Sequence, residues 1–244
     1  EAEVTWRHAA PPAGVVAHRC ELASATEVDD LLAGVAPDVV VHTAYSMGRR
    51  ADIVDASANV AAACAASGAA LVHLSSDVVF DGEHPPYSEG DEPAPVTDYG
   101  RWKLAAESAV LDRVPDACIT RTSLIVSLDP PDRGTRWLID AVRAGERPTL
   151  FHDEIRSAIR AEDLARTIWA LVGLDRQERA GVWHLPGPEA LSRAEVGRRV
   201  LVAAGVDPSV AVEASVRDHP DPRPPDLALV SRRDAPGPAP SPVP

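Results

Sequence analysis

Apolar and polar positions alternate along the chain in short blocks. Val4-Thr-Trp6 and Val15-Val-Ala-His18 read as short strands split by the breaker run Ala9–Gly14. Thr26–Leu32 reads as a helix, with Ser24 or Thr26 as its cap. Val39–Thr43 is an apolar, β-branched run that fits a buried strand. The Ala-rich stretch Ala51–Ser67 stops at Gly68, as a helix with a glycine terminator should. Leu71–Ser75 reads as the next strand, and Asp81–Asp98, rich in proline and acidic residues, as a long loop. Tyr99–Leu111 reads as a helix, and Ala117–Val126 contains another strand. Trp137–Ala144, Glu162–Val172 and Ser192–Ala204 read as helices, separated by strand-like pieces such as Val182–Leu185.

Strand and helix alternating at short spacing predict an α/β fold with a parallel sheet. Residues 1–130 would form this domain. Residues 131–233 would form a smaller lobe with interleaved strands of the main sheet. Asp234–Pro244, rich in Pro and Ala, reads as a disordered tail.

Composition narrows the function classes. The formal net charge of −13 argues against a general nucleic-acid or anionic-membrane binder, while leaving room for a local basic pocket for a phosphate. Cys20, Cys64 and Cys118 show no metal-ligand spacing, so no metal site is expected. They read as small buried thiols in a reducing, cytoplasmic setting. No run approaches the roughly 18 apolar residues of a membrane span.

Lys103 is the only lysine beside 23 arginines, and it stands four residues after Tyr99. On a helix the two share a face. An ammonium near a phenol favours the phenolate, which makes Tyr a usable proton donor and acceptor near neutral pH. A lysine also gives a compact charge with rotatable donors that can bond a ribose hydroxyl, where a planar guanidinium fits less well. Upstream, Ser75-Ser76 closes a strand at its C-terminal end, where open α/β sheets place ligands. Ser76, Tyr99 and Lys103 together make a carbonyl-reducing or alcohol-oxidising constellation.

The segments Ser75-Ser-Asp-Val-Val-Phe-Asp-Gly82, Pro86-Tyr-Ser-Glu89 and Tyr99-Gly-Arg-Trp-Lys103 occur in order. The chain resembles the extended short-chain dehydrogenase/reductases, in their dTDP-4-dehydrorhamnose reductase branch, from residue 1 to about Arg233. The resemblance implies a Rossmann-like doubly wound parallel sheet, with residues 131–233 mostly as the substrate lobe, and reduction of a nucleotide-linked 4-keto sugar with NADP(H) or NAD(H). Ser76 would polarise the carbonyl, Tyr99 act as the acid, and Lys103 lower its pKa and bind the nicotinamide ribose. Asn59 matches an Asn that shapes the active site. Two positions depart from the family pattern: Val78 stands where Tyr is usual, and Trp102 where Ser is usual.

The resemblance assigns further residues. Arg7, after the second family strand, would accept a 2′-phosphate. Glu21-Leu22 resembles the adenine-side pair, Thr43-Ala44-Tyr45 would flank the cofactor, and Arg121 would line its end. Asp77, Arg156 and Arg223 belong to the substrate side, Arg156 as a partner for a nucleotide phosphate. Asp163 reads as a helix cap, and His184 as a packed strand residue. A homodimer is compatible with this reading. Rival readings are a nucleotide-sugar epimerase, and a non-catalytic, dinucleotide-binding regulatory subunit like the partners of methionine adenosyltransferase. A dehydratase is disfavoured by the lack of a Glu near Ser76-Asp77.

No G-x-x-G-x-x-G occurs in the chain, whose first residue is Glu and whose only Met is Met47. Relative to the family, residue 1 falls at the start of the second strand. The resemblance therefore implies a preceding first strand, glycine loop and helix of roughly 25–30 residues. Without that strand, its two neighbours would stand roughly 9–10 Å apart with unpaired backbone between them. The alternative is a sheet closed directly between Val4–Trp6 and Val39–Thr43. In either case the 244-residue chain is expected to bind cofactor poorly.

Overall fold

A computed structural model describes residues 2–7 and 13–244. His8 and most of the breaker run expected over Ala9–Gly14 lie outside the described residues. The elements, in chain order, are β1 (Glu3–Trp6), β2 (Val16–Arg19), α1 (Ala25–Val35), β3 (Val39–His42), α2 (Val54–Ser67), β4 (Ala70–Ser76), α3 (Asp98–Leu111), β5 (Cys118–Thr122) and β6 (Ile125–Val126). There follow α4 (Arg133–Arg143), β7 (Thr149–Phe151), β8 (Ile155–Arg156), β9 (Ile159–Arg160), α5 (Ala161–Val172), α6 (Arg176–Arg179), β10 (Gly181–Leu185), β11 (Leu191–Ser192), α7 (Arg193–Ala203), β12 (Val212–Ala214) and β13 (Asp226–Leu227).

The chain divides into two compact units. Unit 1 holds residues 1–74, 102–119 and 176–181; unit 2 holds 75–101, 120–175 and 182–244. A cut near residue 130 differs from this division, because β4, α3 and β5 each run from one unit into the other.

In unit 1, β1 and β2 pair in parallel from Glu3↔Val16 to Trp6↔Arg19. β3 and β4 also pair in parallel, from Val39↔Ala70 to His42↔His73. β3 is the edge strand of their sheet. No ladder joins β1 to β3 among the described residues, so the direct closure considered above is not the arrangement adopted.

Local chemistry explains the helix limits. Ser24 caps α1 by accepting from the Glu27 N–H at 3.4 Å, and α1 runs on past Leu32 to Val35 before Ala36 turns left-handed at φ 49°. The stretch expected as one helix from Ala51 opens with a 3-10 turn, Arg50–Asp52, and becomes α-helical only at Val54. Gly68, at φ 81°, stops it as expected. Such a backbone conformation favours a residue without Cβ. Val28, Leu32, Val60, Cys64, Leu71 and Ile119 are buried in this unit. Each large aliphatic among them contributes roughly 1.5–3 kcal/mol by leaving water. All three cysteines are buried and stand outside any disulfide, and burial pushes the Cys64 thiol up to about 11.

Unit 2 contains the sheet β11-β8-β13, antiparallel between β11 and β8 and parallel between β13 and β8. The ladders β12-β7 and β6-β9 are parallel. Asp132 starts α4 earlier than the apolar pattern suggests, by accepting from the N–H groups of Gly134 and Thr135. Leu138, Ile139, Val142, Leu150, Val200 and Leu201 form its core, and Val243 is buried in the same cluster. Residues 234–244 therefore depart from the disordered tail expected of their composition. The Ser241 N–H donates to Asp163 Oδ2 at 2.8 Å, and Val243 is 4% exposed. This also corrects the reading of Asp163 as a cap. The N-cap of α5 is Arg160, and Asp163 sits buried in the first turn, bonded to the tail and to Arg166.

Candidate active site

α3 carries both Tyr99 and Lys103, one helical turn apart. Its buried stripe comprises Gly100, Lys103, Ala106, Glu107 and Val110, while Tyr99 is half-buried. In unit 2 the start of this helix rests on the turn after β4. A Cβ on Gly100 would lie 2.2 Å from the Val78 carbonyl oxygen and 2.9 Å from Pro95 Cβ. No side chain fits there, so the Gly after Tyr99 lets two backbone segments touch.

Val78 stands two residues beyond Ser76. The Ser76 hydroxyl donates to Asp77 Oδ1 at 3.0 Å and accepts weakly from the Val78 N–H. Asp77 is buried, and its Oδ2 accepts from the Ser123 hydroxyl at 2.7 Å and lies 3.8 Å from Arg156 Nε. Burial pushes the Asp77 carboxyl up, against the pull of Arg156 and of the two serine hydroxyls. The hydroxyl expected to polarise a carbonyl thus directs its proton at Asp77.

The other substrate-side residues of unit 2 converge on Glu154. Arg156 Nη2 lies 3.0 Å from one oxygen of that buried carboxylate, and Arg223 Nη1 lies 3.0 Å from the other. Arg156 also donates to the Pro224 carbonyl at 3.3 Å from both terminal nitrogens. Arg223 lies over the Phe151 ring at 5.0 Å, and Arg121 lies over Phe80 at 5.2 Å. Sequence reasoning missed Glu154 and also Arg193, whose guanidinium burial pushes down. His184 is a buried strand residue, with Nδ1 3.1 Å from the Val230 carbonyl oxygen.

In unit 1, Lys103 is 4% exposed, and its ammonium donates to the Leu74 carbonyl at 2.6 Å. Burial pulls its pKa down to about 8, with the Glu107 charge opposing. Two buried histidines face it from the sheet, His42 on β3 and His73 on β4. They are direct partners in the strand register, with rings 5.3 Å apart. Burial first, then the Lys103 charge, brings His42 to about 4; burial, His42 and Lys103 push His73 well below 6.5. Sequence reading passed over both, because each looks like one more member of an apolar strand.

The residues expected to face a cofactor lie in unit 1 as well, except Arg121. Arg7 is not a free cation. Its two terminal nitrogens each reach Asp52 at 3.1 Å, and Nη1 also reaches Glu21 at 3.2 Å. Asp52, which the sequence reading missed, is held below the usual carboxylate range by that pair of bonds. Asn59 donates to the Leu22 carbonyl at 3.0 Å, fixing the turn that carries Glu21 and Leu22. Thr43, Ala44 and Tyr45 follow the C-terminal end of β3 and are exposed.

The ammonium of Lys103 has three donors and makes one hydrogen bond among the described residues. A buried cation with donors to spare fits a ribose hydroxyl. Among the described residues no group of three or more His, Cys, Asp or Glu side chains could hold a metal ion. No helix is long and apolar enough to cross a membrane.

The chain is 31% identical over 212 residues to the dTDP-4-dehydrorhamnose reductase of Mycolicibacterium smegmatis, covering 84% of this chain and 64% of that one. It is 30% identical over 193 residues to methionine adenosyltransferase 2 subunit beta of Danio rerio, covering 73% and 59%. The crystal structure of dTDP-4-dehydrorhamnose reductase from Bacillus anthracis, in complex with NADP, shares the fold with a TM-score of 0.78 at 21% identity, over 88% of this chain and 80% of that one. The chain spans about three fifths of the length of the curated relatives it matches. The family described as the RmlD substrate binding domain matches residues 5–235. The chain belongs to that family, within the extended short-chain dehydrogenase/reductases.

Proposed function

We propose that the protein reduces the keto group of a nucleotide-linked 4-keto sugar, using NADP(H) or NAD(H). The observation that carries this reading is α3, which holds Tyr99 and Lys103 one turn apart while Gly100 between them touches the turn that follows Ser76. The dihydronicotinamide, when bound, supplies the hydride that goes to the keto carbon. Tyr99 gives its phenolic proton to the keto oxygen, so one C–H and one O–H bond form as the C=O double bond becomes single. The phenolate left behind is favoured by the positive charge of Lys103 and recovers its proton from water. The remaining donors of Lys103 hold the ribose. Ser76 turns its hydroxyl from Asp77 to the substrate oxygen. Arg156 and Arg223 hold the phosphates by exchanging bonds with Glu154 for bonds to the substrate.

Arg7 decides between the two cofactors. It meets a 2′-phosphate only by leaving Asp52 and Glu21, so competing titrations with NADPH and NADH read that choice directly. The three buried thiols, none in a disulfide, support a cytoplasmic setting.

A second reading is a regulatory subunit, since the chain is also similar to the methionine adenosyltransferase subunit. Nicotinamide oxidation with a 4-keto-deoxysugar nucleotide separates the two. Turnover that falls by about 10²–10⁴ in Tyr99→Phe supports the reductase. Absence of turnover, with tight binding to a methionine adenosyltransferase catalytic chain, supports the subunit.

A further inference from the structure

Lys103 is the only lysine of the chain, and it lies buried in unit 1 on the inner stripe of α3. Four residues further along the same stripe stands Glu107, which is 3% exposed. Residues at this spacing on a helix are neighbours. The other titratable groups facing the ammonium are His42 from β3 and His73 from β4, and burial keeps both neutral near pH 7. The remaining contact, the Leu74 carbonyl at 2.6 Å, is a dipole and not a charge. Burial disfavours the protonated amine, and the charge of Glu107 opposes that effect.

We propose that Glu107 is a positioning residue for Lys103, the buried countercharge one turn along α3 that holds the lysine in its ammonium form. An amine that lost its proton would no longer favour the Tyr99 phenolate. Glu107 would thus act on the chemistry through Lys103 without touching substrate. The catalytic consequence rests on the reductase reading, whereas the charge coupling itself does not.

The composition makes the coupling directly measurable. In the full chain grown with ¹³C-labelled lysine, the single Cε resonance belongs to Lys103, and its chemical shift against pH gives the titration midpoint. The wild type should titrate near pH 8. Glu107→Gln should lower that midpoint by about 1–3 pH units, the range for loss of an adjacent opposite charge. Glu107→Asp, which keeps the charge, should recover part of the shift. An unchanged midpoint in a folded Glu107→Gln protein would overturn the proposal.

If Glu107→Gln does not fold, Glu107→Asp decides through the same resonance: drawing the carboxylate back by one methylene should lower the Lys103 midpoint by part of the Gln effect. A midpoint equal to that of the wild type would overturn the coupling. Turnover is recorded on the same samples. Loss of turnover in Tyr99→Phe beside an unmoved Lys103 midpoint defeats this inference and leaves the reductase standing. A moved midpoint in a protein without turnover does the reverse.

Discussion

Unit 1 buries Lys103 with one hydrogen bond, to the Leu74 carbonyl, and a carboxylate one turn away. Unit 2 buries Arg156 with bonds to Glu154 and to the carbonyls of Ile155 and Pro224, and with Asp77 at 3.8 Å. The first cation is under-coordinated, and burial brings it within reach of a proton equilibrium at physiological pH. The second is a fixed charge, since a guanidinium does not deprotonate in proteins. Its neighbours consume its donors. A titratable amine suits proton chemistry, and a saturated guanidinium suits holding a framework or an anion.

The largest effect that tests this contrast is on Arg156. Arg156→Met leaves Glu154 and Asp77 buried beside a lost partner and should cost about 3–5 kcal/mol of stability, read by denaturant unfolding. A loss under about 1 kcal/mol would mean that the site behaves as an exposed pair does.

The next effect concerns pH. The folded pKa of Lys103, about 8, lies below the ordinary value of 10.5. Between these values the unfolded chain holds more protons than the folded one, so stability rises with pH over that interval. The gain is on the order of 3 kcal/mol from this group alone. It should be absent from Lys103→Met, so the stability difference between wild type and this variant should rise with pH; a difference that stays flat from pH 8 to 10.5 would contradict the burial of the charge.

The smallest effect concerns the half-buried pair of Arg7 and Asp52. Asp52→Asn should cost about 1 kcal/mol or less, and added salt should reduce that cost. The depressed Asp52 carboxyl contributes stability above its unfolded value, near pH 4, that is lost as pH falls through the lower folded value. A cost as large as that of Arg156→Met would erase the distinction between the two arginine sites.

The part of the site carried by local sequence was legible. Tyr99 and Lys103 sit at helical spacing, and α3 is the helix that spacing predicts. The end of β4 falls at Ser76, as the apolar run indicates. What stayed hidden depends on pairing across distance. His42 and His73 meet only through the register of β3 and β4. Glu154 meets Arg223 only after β8 and β13 pair, and each of those strands has two residues, too few for a period of two to show. The tail was misread because Pro and Ala dominate its composition. Its order comes from one valine and one backbone N–H that find partners far away in sequence.

The contact between Gly100 and the Val78 carbonyl has a consequence for how the family tolerates change. Two peptide backbones, not two side chains, set the height of the phenol-bearing turn above the strand end. Val78, which differs here from the family pattern, meets that seam through its carbonyl. Its side chain can change without disturbing the contact, while the glycine keeps Tyr99 anchored to the same rail.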